Sequence, residues 1–200
     1  YNRETDRAKL SEALKTQGTQ EKRGISTFFD LKPFPYQDEI LGKLESERIL
    51  HNRYRNLVVA ATGTGKTVIS AFDYKRFRDQ NRRARLLFVA QRKEILEHAQ
   101  GTFQHVLRDA NFGELWVDGQ EPANYEYIFA SVQTLTNRIK ELSLSADFYD
   151  YIVIDEVHHI SASSYRPIIE KFEPKILLGL TATPERMDGE DITKDFCGVI

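Results

Sequence analysis

Five short apolar runs mark the chain from residue 57 onward: Leu57-Val58-Val59-Ala60, Leu86-Leu87-Phe88-Val89, Tyr127-Ile128-Phe129-Ala130, Tyr151-Ile152-Val153-Ile154 and Ile176-Leu177-Leu178-Gly179-Leu180. None alternates apolar with polar positions. A strand covered on one face alternates, whereas one covered on both faces reads as an unbroken apolar run, so these predict the buried strands of a parallel sheet. Leu115-Trp116-Val117 is a weaker strand candidate. Between the runs the period becomes helical: Val68, Ile69 and Phe72 share a face, as do Leu96, Ala99, Phe103 and Val106. Ile40, Leu41 and Leu44 predict a further helix ahead of the first strand. Strands alternating with helices imply βαβ units with right-handed crossovers, hence an α/β fold with a doubly wound, mostly parallel sheet. In such a sheet ligands bind outside the carboxyl ends of the strands.

Residues 1 to 27 lack this pattern. They are polar and mixed in charge, Gly18 and Gly24 interrupt them, and only Ala8 to Leu14 has the makings of a short helix. The segment reads as a linker or arm from an upstream domain, and 28–200 as the globular unit. The chain opens on Tyr1 and stops after Gly198-Val199-Ile200, which reads as a piece cut from a longer protein, truncated at its C-terminal side. A net charge of −2 gives no global signature of a nucleic-acid binder, so any attraction to phosphates must be local. Cys197 is the single cysteine, which excludes an internal disulfide and fits a reducing, cytoplasmic setting. No apolar run approaches the ~18 residues of a membrane span, so no membrane partner is expected.

Two motifs sit at strand ends. After the first run comes Ala60-Ala61-Thr62-Gly63-Thr64-Gly65-Lys66-Thr67, then a helix. Glycines let such a loop aim its N–H groups at phosphate oxygens, and the helix N-terminus adds partial positive charge. Lys66 supplies a point charge to the β- and γ-phosphates and Thr67 a hydroxyl for Mg²⁺. The common pattern opens with Gly where this chain has Ala60, which is acceptable if φ stays negative there. The run 151–154 leads into Asp155-Glu156-Val157-His158-His159. A carboxylate at a buried strand's end can hold Mg²⁺ through its water shell, and a neighbouring one can polarise the attacking water. Asp155 takes the metal role and Glu156 that of catalytic base. His158 and His159 lack the His-Glu-x-x-His spacing or a cysteine cluster, so zinc is rejected. Arg82, Arg83 and Arg85 fall on a connection at the amino ends of the strands and read as a solvated face.

Residues 60–67, Asp155-Glu156-Val157-His158 and Thr181-Ala182-Thr183-Pro184 together resemble motifs I, II and III of the superfamily-two (DEAD/DEAH-like) helicases, in order and interval. Leu180 to Arg186, with Pro35-Tyr36-Gln37 ahead of the first strand, makes the chain most similar to the type III restriction-subunit-like helicases, over about Phe34 to Arg186. The resemblance implies the first of two RecA-like P-loop NTPase domains, with ATP and Mg²⁺ as cofactors. It implies that Thr62, Gly63, Thr64, Gly65, Lys66 and Thr67 hold the nucleotide and that Gln37 reads adenine, an amide pairing donor and acceptor with the base edge. Family members often carry Arg where this chain has Phe34. Gln91-Arg92-Lys93-Glu94 and Ser131-Val132-Gln133-Thr134 resemble motifs Ia and Ib, whose loops face the nucleic-acid backbone. Arg92, Ser131 and Thr134 are therefore contact candidates. A solvated loop or a helix cap explains the same residues, and both readings stand. Thr181 and Thr183 resemble the motif coupling nucleotide state to nucleic-acid grip, the alternative being turn chemistry before Pro184.

The implied function is Mg²⁺-dependent ATP hydrolysis coupled to movement on nucleic acid, DNA more than RNA, with a second RecA-like domain of the full-length chain as partner. An ATP-gated clamp in a restriction or repair assembly is the alternative. Superfamily-two enzymes complete the site with arginines from the second domain, and an absent arginine finger lowers turnover by ~10³–10⁵. The isolated chain is expected to bind nucleotide better than it hydrolyses it.

Overall fold

The structure, a computed structural model, describes residues 31–157, 162–183 and 195–200. The elements run α1 (Pro35–His51), β1 (Arg55–Val59), α2 (Lys66–Gln80), β2 (Leu86–Ala90), α3 (Lys93–Leu107), β3 (Glu114–Trp116), β4 (Tyr127–Ser131), α4 (Val132–Arg138), β5 (Tyr151–Ile154), α5 (Ala162–Lys171), β6 (Ile176–Thr181) and β7 (Gly198–Val199). The strands form one seven-stranded sheet in the order β3-β4-β2-β5-β6-β1-β7, and every neighbouring pair is parallel. This is a RecA-like α/β fold.

The unbroken apolar runs follow from burial on both faces. Along β2, Leu86, Phe88 and Ala90 enter one core cluster while Leu87 and Val89 enter the other. On β5, Tyr151 and Val153 face the first cluster and Ile152 and Ile154 the second. Successive strand side chains point to opposite faces, so a sheet layered on both sides needs apolar residues at every position. The first cluster packs α1, α2 and α3 onto the sheet, with Leu41, Leu44, Ile69, Tyr74, Leu96 and Phe103 as buried contacts. The second packs α4 and α5 through Leu135, Tyr165 and Ile168.

α1 starts where the sequence signals it. Pro35 occupies the first helical position after Phe34, whose extended φ of −67° and ψ of 157° suit a cap. It ends at Asn52, which adopts the left-handed conformation and returns its N–H to the Glu47 carbonyl. Its buried positions are Gln37, Leu41, Leu44 and Arg48, a single stripe at helical spacing with polar residues at both ends.

Three elements are absent from the sequence reading. α4 spans seven residues, too few to show a period, and α5 carries Pro167 inside it, a residue that reads as a helix stop. β7 is a two-residue strand held by pairing to β1. The arm assigned to residues 1–27, the boundary at 28, and His158, His159, Pro184 and Arg186 lie outside the described residues.

Candidate functional site

Every motif loop leaves the same edge of the sheet. The loop 60–65 follows β1, Thr181 ends β6, Asp155 follows β5, Arg92 follows β2 and Ser131 ends β4. Since β6 separates β1 from β5, the phosphate-type loop and Asp155 stand two strand spacings apart, about 10 Å. That gap suits a polyphosphate tail and a hydrated ion.

The loop is built for close approach. Gly63 and Gly65 have φ of 82° and 77°, the left-handed region that L side chains avoid, while Ala60 stays outside it. A Cβ on Gly65 would stand 2.7 Å from Gln37 Nε2, so any larger residue here would displace the Gln37 amide as well as strain the backbone. Ala61 closes the turn by accepting from the Thr64 N–H at 3.3 Å and from the Thr64 hydroxyl at 2.8 Å. Lys66 Nζ donates to the carbonyls of Ala60 at 2.8 Å and Ala61 at 3.3 Å. Its ammonium is thus held over the loop by two neutral acceptors, which an anion would outcompete.

Asp155 is 5% exposed. Burial pushes its carboxyl up to about 6, an effect reinforced by the Glu156 charge and partly offset by the Glu156 N–H and by Lys66. The Glu156 N–H donates to Asp155 Oδ1 at 2.9 Å and fixes its direction. Glu156 itself has a φ of 52°, a costly backbone state for a side chain this size, and turns off the strand end into a half-exposed position. A buried anion beside an open edge fits a divalent cation. Among the described residues no three His, Cys, Asp or Glu side chains converge. A single buried carboxylate suits an ion that keeps most of its waters, as Mg²⁺ does, better than one that needs a full protein cage.

Gln37 reaches the loop from α1. Its Nε2 donates to the Thr64 carbonyl at 3.1 Å and its Oε1 accepts from the Phe34 N–H at 3.0 Å. The amide therefore caps its own helix and braces the loop, and each end retains one further hydrogen-bonding valence. Tyr36 donates its hydroxyl to the same Thr64 carbonyl at 2.8 Å. Its ring lies parallel to that of Phe34 at 5.9 Å, and both rings are exposed. They expose aromatic surface beside the loop.

The remaining candidates separate. Ser131 caps α4: its hydroxyl accepts from the Thr134 N–H at 3.1 Å and donates to Thr134 Oγ1 at 2.7 Å, and the residue is 5% exposed. Thr134 is half-buried beside it. Arg92 is exposed at the start of α3 and lines an open hollow of about 440 Å³ with Gln91, Glu94, Ile95 and Glu156, between the ends of β2 and β5. Thr181 is fully buried. Its hydroxyl donates to the Thr183 carbonyl at 2.6 Å, and its own carbonyl accepts the Ala60 N–H at 3.0 Å. Arg82, Arg83 and Arg85 lie between α2 and β2, on the opposite edge, as their position in sequence implies. Arg85 is not simply solvated, since its guanidinium lies 4.3 Å from the Phe148 ring centroid.

Sequence reasoning missed Tyr36 as a loop contact and missed a buried polar group. Arg48 makes a two-pronged pair with Asp73 at 2.8 and 2.7 Å, and its Nε donates to Asn56 Oδ1 at 3.0 Å. Tyr151 donates its hydroxyl to Asp73 Oδ2. The only available signal was the spacing of Arg48 from Gln37, Leu41 and Leu44.

Comparison with known proteins agrees with this architecture. The family model described as type III restriction enzyme, res subunit, matches residues 30–186. The type I restriction enzyme EcoAI endonuclease subunit of Escherichia coli is 34% identical over 167 residues, covering 76% of this chain and 19% of that protein. IRC3 of Saccharomyces cerevisiae, by its name a candidate ATP-dependent helicase, is 32% identical over 143 residues, covering 66% of this chain and 20% of its own. The chain thus spans about a fifth of the length of these curated relatives. Among solved structures, the UvsW helicase from bacteriophage T4 aligns with a TM-score of 0.70 at 16% identity, over 97% of this chain and 67% of that one.

Proposed function

Because the chain belongs to the type III restriction enzyme res-subunit family, as a first RecA-like domain of the superfamily-two helicase type, we propose that it is the ATP-binding half of a motor that moves on DNA. The observation that carries this reading is the convergence of Lys66, Asp155, Glu156 and Thr181 at one sheet edge, with Lys66 near enough to influence the Asp155 carboxyl.

In this reading Thr62 to Thr67 present backbone N–H groups to the phosphates, and Lys66 leaves its two carbonyls to meet the β- and γ-oxygens. Thr67 and Asp155 hold Mg²⁺. Bound there, the ion supplies positive charge to the phosphate oxygens. Glu156 accepts the proton of the attacking water from its place at the mouth of the hollow. Gln37 reads the adenine edge with its remaining valences. Arg92 and Thr134 meet the nucleic-acid backbone, with Ser131 holding Thr134 in place. Thr181 and Thr183 link that contact to the phosphate loop through the bond to Ala60. The E. coli relative's part in a restriction enzyme favours DNA over RNA. Arginines from a second RecA-like domain complete the site, so residues 28–200 bind nucleotide better than they hydrolyse it.

The test is Mg-ATP hydrolysis by the full-length protein with and without single-stranded DNA, duplex DNA and RNA. DNA should raise the rate, and Lys66→Ala should abolish it in a folded protein. A rate indifferent to every nucleic acid defeats the motor reading. Stimulation without displacement of a bound triplex strand would make the protein a clamp.

A further inference from the structure

The buried stripe of α1 has an unusual composition: Gln37 and Arg48 at its ends, Leu41 and Leu44 between them. Leu41 and Leu44, with the partly buried Ile40 beside them, give this helix a short apolar contact, which fixes little about its rotation or axial position. Directional bonds at the two ends do that. At one end Gln37 and Tyr36 reach the Thr64 carbonyl. At the other, about 16 Å away at 1.5 Å per residue, the planar Arg48 guanidinium meets Asp73 through two parallel hydrogen bonds, and Asp73 is 4% exposed. A two-pronged pair fixes an angle as well as a distance.

The pair also gathers the elements that carry the site. Asp73 lies on α2, which begins at Lys66; Asn56 lies on β1, which leads into the loop; Tyr151 opens β5, which leads into Asp155. All four side chains are buried, and one carboxylate receives both Arg48 and Tyr151. A buried ion pair is a weak device for stability alone, since desolvation offsets most of its attraction and apolar residues fill the space as well. Its distinctive property is geometry.

We propose that Arg48 and Asp73 are positioning residues of the nucleotide site: their pair sets the placement of α1 on α2 and thereby holds Gln37 and Tyr36 against the Thr64 carbonyl of the phosphate loop. The proposal rests on the nucleotide-site reading above for its functional consequence, but the brace itself is independent of any ligand. Loss of the pair leaves the apolar contact and the exposed Arg76–Asp38 pair, a weak solvent-screened tie, and frees α1 to shift, so that the loop 61–67 loses its outer support.

The test replaces the whole polar group by apolar residues, Arg48→Met/Asp73→Leu/Tyr151→Phe, in the full-length protein, so that no buried charge is left unpaired. Hydrogen exchange is measured without nucleotide, and binding is measured with a fluorescent ATP analogue. A purely structural role would change exchange throughout the domain together with the melting temperature. A positioning role gives a melting temperature near that of the wild type, exchange at residues 61–67 and the first turn of α1 faster by about ten-fold, and ATP affinity weaker by about ten-fold. Arg48→Lys, which keeps the charge but not the fork, should fall between, and it decides the matter if the triple variant does not fold. A folded variant with wild-type exchange in the loop and affinity within about two-fold overturns the proposal. Faster loop exchange in a protein whose wild type binds no ATP analogue would leave the brace standing and defeat the nucleotide reading instead.

Discussion

The backbone N–H of Ala60 donates to the carbonyl of Thr181 across 3.0 Å, joining the first residue of the phosphate loop to the last residue of β6. The Thr181 hydroxyl is engaged separately, with the backbone of Thr183 two residues on. One residue thus touches the loop through its main chain and the following turn through its side chain. Thr181→Val removes the hydroxyl connection and keeps the main-chain one. ATP affinity should stay within about three-fold, while stimulation of hydrolysis by DNA should fall by ~10-fold, a typical coupling magnitude. Steady-state ATPase with and without DNA reads both quantities. Unchanged stimulation would reduce the Thr181 hydroxyl to turn chemistry.

Asp155 gives the metal-free protein a pH dependence of definite sign. Its carboxyl sits at about 6 in the folded state, because it is buried, against ~3.9 in an unfolded chain. Below pH ~4 it is protonated in both states and costs nothing. As pH rises towards 6 the unfolded state ionises first, so the native state loses stability, by on the order of 3 kcal/mol above that range. Asp155→Asn should match the wild type at pH 4 and exceed it by ~1–3 kcal/mol at pH 7.5. Urea denaturation in EDTA at the two pH values is the measurement. Added Mg²⁺ should then stabilise the wild type and leave the asparagine variant unmoved. An equal difference at both pH values would show that Asp155 does not titrate in this range.

Glu156 allows a cleaner separation of binding from chemistry. Gln in its place keeps length and meets the same strained φ of 52°, so the backbone of the turn is not perturbed. Glu156→Gln in the full-length protein should leave ATP affinity within about three-fold and reduce turnover by ~10²-fold or more. Near-normal turnover would remove Glu156 from the role of base.

How much of this was legible in the chain depends on which physical signal each feature leaves. Leu87 and Phe88 are adjacent yet belong to different cores, so burial on both faces appeared in the sequence as an unbroken run and gave the strands of the sheet. Gly63, Gly65 and Lys66 were legible because a tight loop feeding a helix needs those residue types in that order. Asp73 was not. It stands between Phe72 and Tyr74, on a helix whose inner face was already accounted for by Ile69 and Phe72, and nothing local shows that its partner is 25 residues upstream on another helix. β7 was hidden for a related reason: two residues pair because β1 offers a free edge, not because Gly198-Val199 favours a strand. Ser131 was ambiguous between cap and contact, and only the Thr134 N–H at 3.1 Å identifies the cap.

Gln37 joins the two kinds of role, and its substitution distinguishes them. Its Nε2 supports Thr64 and its Oε1 caps Phe34, which leaves one proton and one lone pair for a base. Adenine presents a donor beside an acceptor and can take both. Guanine presents acceptors in the corresponding places and can satisfy only the proton. Removing the amide should therefore act in two layers. Loss of the brace weakens every nucleotide alike, because it loosens the loop that all of them share, and loss of the cap adds a destabilisation of ~1 kcal/mol to the start of α1. Loss of the base contact costs ATP two hydrogen bonds and GTP one. Gln37→Ala should lower affinity for both ATP and GTP and bring their ratio towards one, ATP losing the more by several-fold. Competition titrations with the two nucleotides on the same folded variant supply the comparison. Equal losses would confine Gln37 to the brace and leave base contact to the exposed rings of Phe34 and Tyr36, whose stacking surface does not distinguish one purine from another.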